Sequence, residues 1–132
     1  MNAVTAAYSG GVLSITQTTS DSLCSLTLSM DSTGNPVVAA GDSNTLVNGV
    51  SSVNLGSCPG LAAVQITLLG NGHLLNVNGF NGGSASLGVA TGSGAGNLYL
   101  GPGTHFSGPV KYMSSGNNGV LFNVLPGARI GA

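Results

Sequence analysis

The sequence predicts an all-β chain, a single domain over residues 1–132 built from short hairpins into an antiparallel β-sandwich or jelly-roll-like barrel. Three observations carry this. No window of eleven or more residues has a helical apolar period. From Val53 onward, apolar positions, mostly apolar-x-apolar triplets, recur about every eleven residues: Val53/Leu55, Ile66/Leu68, Val77, Leu87/Val89, Leu98/Leu100, Val110/Tyr112 and Phe122/Val124. Turn residues separate them at the spacing of a sandwich or barrel. A fixed short period also describes a β-solenoid, the alternative architecture. The tight turns favour antiparallel neighbours, because parallel strands need longer crossovers.

The elements follow in order. Val4–Tyr8 and Val12–Thr16 flank Ser9-Gly10-Gly11 and form a first hairpin. In the next strand Cys24, Leu26, Leu28 and Met30 alternate with Leu23, Ser25, Thr27 and Ser29, one apolar face against one mainly polar face. Asp31 to Asn35 is turn chemistry. Pro36 opens the strand Val37-Val38-Ala39, a position proline tolerates. Leu46-Val47 and Val53-Asn54-Leu55 are short strands, and Ser57-Cys58-Pro59-Gly60 is a turn.

Val64–Gly79 carries the plainest local signal. Asn71-Gly72 suits a two-residue type I′ turn, which needs φ > 0 at both central positions. That turn sets Leu68 opposite Leu75 and Ile66 opposite Val77. Val64, Ile66, Leu68, Leu75 and Val77 then share a buried face, and Gln65, Thr67, Asn76 and Asn78 face solvent. A third hairpin is expected across Ser93-Gly94-Ala95-Gly96. A fourth joins Val110–Met113 to Val120–Val124 through Asn118-Gly119. Leu125 to Ala132 is read as an irregular tail.

Charge narrows the function classes. Charged residues make up 4% of the chain, against about 25% in an ordinary domain. The only strong bases are Lys111 and Arg129, too few to neutralise a phosphate backbone, so no nucleic-acid partner is expected. No apolar run reaches the ~20 residues of a membrane-spanning helix. Met1 to Thr5 lacks the basic start and apolar run of a signal peptide. A net charge of −1 leaves association between copies almost unopposed.

Catalytic groups are sparse. The acids are Asp21, Asp31 and Asp42, with no Glu, which leaves no carboxylate pair for glycoside hydrolysis. Gly92-Ser93-Gly94 has no following helix and makes no nucleophile elbow. Gly94-Ala95-Gly96 and Gly101-Pro102-Gly103 lack the helix and lysine of a phosphate loop. His73 and His105, the two histidines, have no further ligands at short spacing, and His73, directly after a turn, is expected to face solvent. No catalytic residue, metal or cofactor is assigned. Cys24 and Cys58 are the candidate disulfide; its loop of about 33 residues would contribute roughly 3–4 kcal/mol. Such a bond would place the protein in an oxidising setting. Tyr8, Tyr99 and Tyr112 are the only tyrosines available for a sugar platform, though isolated aromatics more often pack in a core.

Tyr8-Ser9-Gly10-Gly11-Val12-Leu13-Ser14-Ile15 resembles repeats of calcium-binding β-roll proteins over the first fifth of the chain. The glycine-and-aspartate turns that bind calcium there are missing here. The function expected is therefore structural and non-enzymatic. The expected form is a self-assembling homo-oligomer, or a subunit docked on a host lattice such as a capsid. The settings are a virion surface, as a decoration or minor capsid protein, or an extracellular fibre. The alternative is a carbohydrate-binding or adhesive β-sandwich module.

Overall fold

The structure is a computed structural model and describes residues 1–69, 72–92, 96–114 and 120–131. These residues form fifteen strands and no helix. The N-terminal part is antiparallel. Strands β1 (Asn2–Ser9) and β2 (Val12–Thr19) pair with Ser9 opposite Val12. Gly10 and Gly11 have φ of 59° and 84°, as a type I′ turn requires. Strands β3 (Cys24–Met30) and β4 (Pro36–Ala40) pair across the Asp31 turn. There Asp31 Oδ1 accepts the backbone N–H groups of Thr33 and Asn35 at 2.9 and 3.0 Å. Strand β5 (Thr45–Val47) lies parallel to β1, and β6 (Ser52–Asn54) antiparallel to β4.

From Ala63 the chain winds instead of folding back. One coil is β7 (Ala63–Thr67), β8 (His73–Val77) and β9 (Asn81–Gly83). The next is β10 (Ser86–Thr91), β11 (Gly96–Leu100) and β12 (His105–Phe106). The last is β13 (Val110–Ser114), β14 (Val120–Val124) and β15 (Arg129–Ile130). Successive coils stack into three sheets. The first runs β13-β10-β7-β2-β1-β5, the second β14-β11-β8-β3-β4-β6 and the third β15-β12-β9. Every pairing between coils is parallel.

This overturns the antiparallel sandwich or barrel. The sheets are three and mixed, and strands consecutive in the chain after Ala63 lie in different sheets. The expected hairpin at 64–79 is absent: β7 pairs with β2 and β10, and β8 with β3 and β11. The expected third and fourth hairpins fail in the same way, since β10 and β13 are in the first sheet and β11 and β14 in the second. Asn71, Ser93 to Ala95 and Asn118-Gly119 lie outside the described residues. The tail is not wholly irregular, because Arg129–Ile130 closes the third sheet.

Alternation specifies which side of a strand is apolar, but not which strand lies beside it. Here the faces were read correctly: Val64, Ile66, Leu68, Leu75 and Val77 are all at most 3% exposed. Their neighbours come from other coils. The corner residues show where the backbone bonds go. Leu68 N–H donates to the Ala90 carbonyl at 2.8 Å, and Cys24 N–H to the Gly72 carbonyl at 3.2 Å. Hydrogen bonds at the corners thus run up and down the stack.

Stacking in register builds columns of like residues. Leu13, Val64, Leu87 and Val110 share one, with Val64, Leu87 and Val110 each 23 residues apart. Leu26, Leu75, Leu98 and Phe122 form a second, and Leu28, Val77, Leu100 and Val124 a third. The eleven-residue period is the step from one long face to the next. The short third face brings the full coil to about twice that step.

Candidate assembly surface

The two ends of the stack differ. At the N-terminal end β1, β4, β5 and β6 close the core, and Val4, Val38 and Val47 are at most 2% exposed. At the other end no strand among the described residues covers β13, β14 and β15. Three inward columns therefore stop at solvent. Phe122 is 39% exposed where Leu98 above it is fully buried, Val124 is 52% against 0% for Leu100, and Ile130 is 41% against 0% for Phe106. Met113, Leu121 and Leu125 on the same coil are also exposed. Among the described residues, six of the ten exposed large apolar side chains thus belong to one terminal coil. Exposed apolar side chains gathered on one coil are the kind of surface that marks an interaction site.

An aromatic chain fixes this coil to the core. The His73 and Tyr112 rings meet edge to face at 5.8 Å between centroids, and Tyr112 and Phe122 at 6.0 Å. The Tyr112 hydroxyl hydrogen-bonds His73 Nε2. His73 does not face solvent as expected but is 1% exposed. The alternation that buries Leu75 and Val77 also buries His73, two residues before Leu75; that periodic signal was in the sequence. Its ring occupies the space left by Gly96 in the next coil, where a Cβ would overlap it. Nδ1 has no hydrogen-bond partner among the described residues. Burial pushes the imidazole below its ordinary pKa, so the ring is neutral at pH 7, and raises that of the Tyr112 phenol.

Charge divides along the stack. Asp21, Asp31 and Asp42 all precede β5, whereas Lys111 is on β13 and Arg129 on β15. The acids are already engaged. Asp21 pairs with the Met1 amine, Asp42 accepts the Asn44 N–H, and Asp31 is held well below the usual carboxylate range, first by the Asn35 N–H and then by the Asn54 and Thr33 side chains. The two long terminal edges are not equally protected. β13 carries Lys111 and follows Pro109; β14 is Val-Leu-Phe-Asn-Val, with neither charge nor proline.

The other candidate residues are not brought together. Cys24 and Cys58, the candidate disulfide, stand as free thiols in this structure. Cys24 opens β3, just past the far end of the first sheet. Cys58 lies beside Pro59, whose carbonyl accepts the Tyr8 hydroxyl at the opposite end of that sheet. A strand of five residues spans roughly 17 Å, whereas bridged cysteines need Cα atoms within about 7 Å. Burial, with a smaller contribution from Asp42, pushes the Cys24 thiol up to about 11. Tyr8 and Tyr112 are on β1 and β13 of the first sheet with three strands between, and Tyr99 is in the second, so no aromatic platform forms. Among the described residues no three His, Cys, Asp or Glu side chains cluster as metal ligands. A shallow groove on the first sheet runs over Gly88 between Gln65 and Lys111. Comparison of the chain with known protein families, curated proteins and solved structures finds no match.

Proposed function

We propose that this protein is a structural subunit that assembles through the open end of its coil, as part of a particle or filament. One observation carries the reading: inward columns that are dry along the stack end in exposed Phe122, Val124 and Ile130. Repeat folds need a terminal cover with a polar outer face to remain soluble alone. Among the described residues such a cover is present at one end only. The low charge acts in the same direction, since few like charges keep copies apart.

Sedimentation over the micromolar range tests it. The expected result is a mass that rises with concentration, and a Val124→Lys variant that shifts the rise to higher concentration. A monomer at high micromolar concentration, unaffected by Val124→Lys, refutes the reading. The groove between Gln65 and Lys111 supports a second reading, a binding face for acidic sugars. Titration with an acidic polysaccharide, and its loss in Lys111→Ala, tests that.

A further inference from the structure

Resting on the assembly reading, we infer that the cover of the open end is a second copy of this chain, related by a two-fold axis through Phe122, with β14 pairing antiparallel to β14 of its twin. The argument starts at the edge. β14 is a five-residue strand whose free side has no partner among the described residues and no protecting charge or proline. Phe122 is its central residue. Antiparallel self-pairing about Phe122 sets Phe122 against Phe122 and Val120 against Val124. Directly opposite residues share a face, so both phenylalanines enter one joined core. The columns of the two stacks then continue through the interface.

The rotation exchanges the remaining faces, laying β13 of each copy over β15 of the other. Across the axis the exposed Phe122 meets Phe122 and the exposed Val124 meets Val120. The pair would bury on the order of 1,000 Å², the size at which interfaces become specific. The surface is self-complementary, as an isologous contact requires.

Head-to-tail stacking fits less well. The cap presents only the three-residue edges β5 and β6, and Ser52 and Asn54 on β6 are exposed and polar. Its three aspartates would attract the basic coil, but each already has a partner within its own copy. The two arrangements respond oppositely to salt. The two-fold contact brings Lys111 of one copy towards Arg129 of the other, so screening strengthens it. Head-to-tail contact opposes acids and bases, so screening weakens it.

The test combines Phe122→Cys, in a Cys58→Ser background, with sedimentation in low and high salt. A symmetric pair at the axis has its Cα atoms within disulfide range. The expected result is a covalent dimer on mild oxidation, a wild-type dimer that tightens with salt, and Lys111→Ala tightening it further at low salt. Phe122→Asp, which places two like charges on the axis, should weaken the dimer by about tenfold or more. Circular dichroism matching the wild type shows that each variant folds; where Phe122→Cys does not, Asn123→Cys and Leu121→Cys, mixed, should cross-link as opposed neighbours. Open-ended polymers that weaken with salt and no cross-link overturn the two-fold contact and leave the assembly reading standing. A monomer under all conditions overturns both.

Discussion

Gly96→Ala probes the coil most directly. Gly96 is absent from the residues with positive φ, so alanine fits the backbone. At such a site Gly→Ala stabilises by about 0.4–1 kcal/mol through the unfolded chain. The coil reverses this. The three atoms nearest a new Cβ all belong to the His73 ring, which is held by Tyr112 and has no open space to enter. Overpacking of this kind costs about 1–3 kcal/mol. The net expectation is a loss of roughly 0.5–2.5 kcal/mol. In a His73→Ala background the obstruction is gone, and Gly96→Ala should stabilise. The change of sign amounts to a coupling of about 1–3 kcal/mol between residues 23 apart in sequence. Urea unfolding of the four proteins, followed by far-ultraviolet circular dichroism, measures it. If the two substitutions add to within ~0.5 kcal/mol, β8 and β11 are not neighbours and the stacked coil is wrong.

Two further outcomes follow from buried groups. The native protein should contain two free thiols, with Cys58 alkylated readily and Cys24, buried and raised to about 11, alkylated only after unfolding; an intact mass lower by two hydrogens with no alkylation would contradict this. Stability should also fall as pH drops below about 6.5, where the unfolded imidazole takes a proton that buried His73 resists. The depressed pKa means His73 costs nothing above that range, and the slope is at most about 1.4 kcal/mol per pH unit for one group. Asp31, also depressed, loses its contribution only below about 4, so the two windows separate. Urea midpoints between pH 5 and 7.5 in the wild type and His73→Leu check this; an unchanged slope in the variant would show that another group is responsible.

Strand positions and buried faces were legible in the sequence because each depends on a short stretch. Alternation at Val64, Ile66 and Leu68 records which side is dry, whatever lies beside the strand. Gly10-Gly11 identified a true hairpin because its two strands run on in line with the turn and pair at once. Asn71-Gly72 offered the same chemistry, yet β7 and β8 diverge into separate sheets. A turn constrains its own dihedrals, but the choice between folding back and rounding a corner rests with distant strands. β2 and β10 satisfy both edges of β7, and β3 and β11 both edges of β8, so neither strand has an edge left for a hairpin partner. The cysteines are a parallel case: composition counts two, and only the winding sets Cys24 and Cys58, free thiols in this structure, at opposite ends of the first sheet's strands. The open apolar end is likewise tertiary. Phe122 and Val124 read in sequence like any core pair, and they become a surface because no strand among the described residues stacks on theirs.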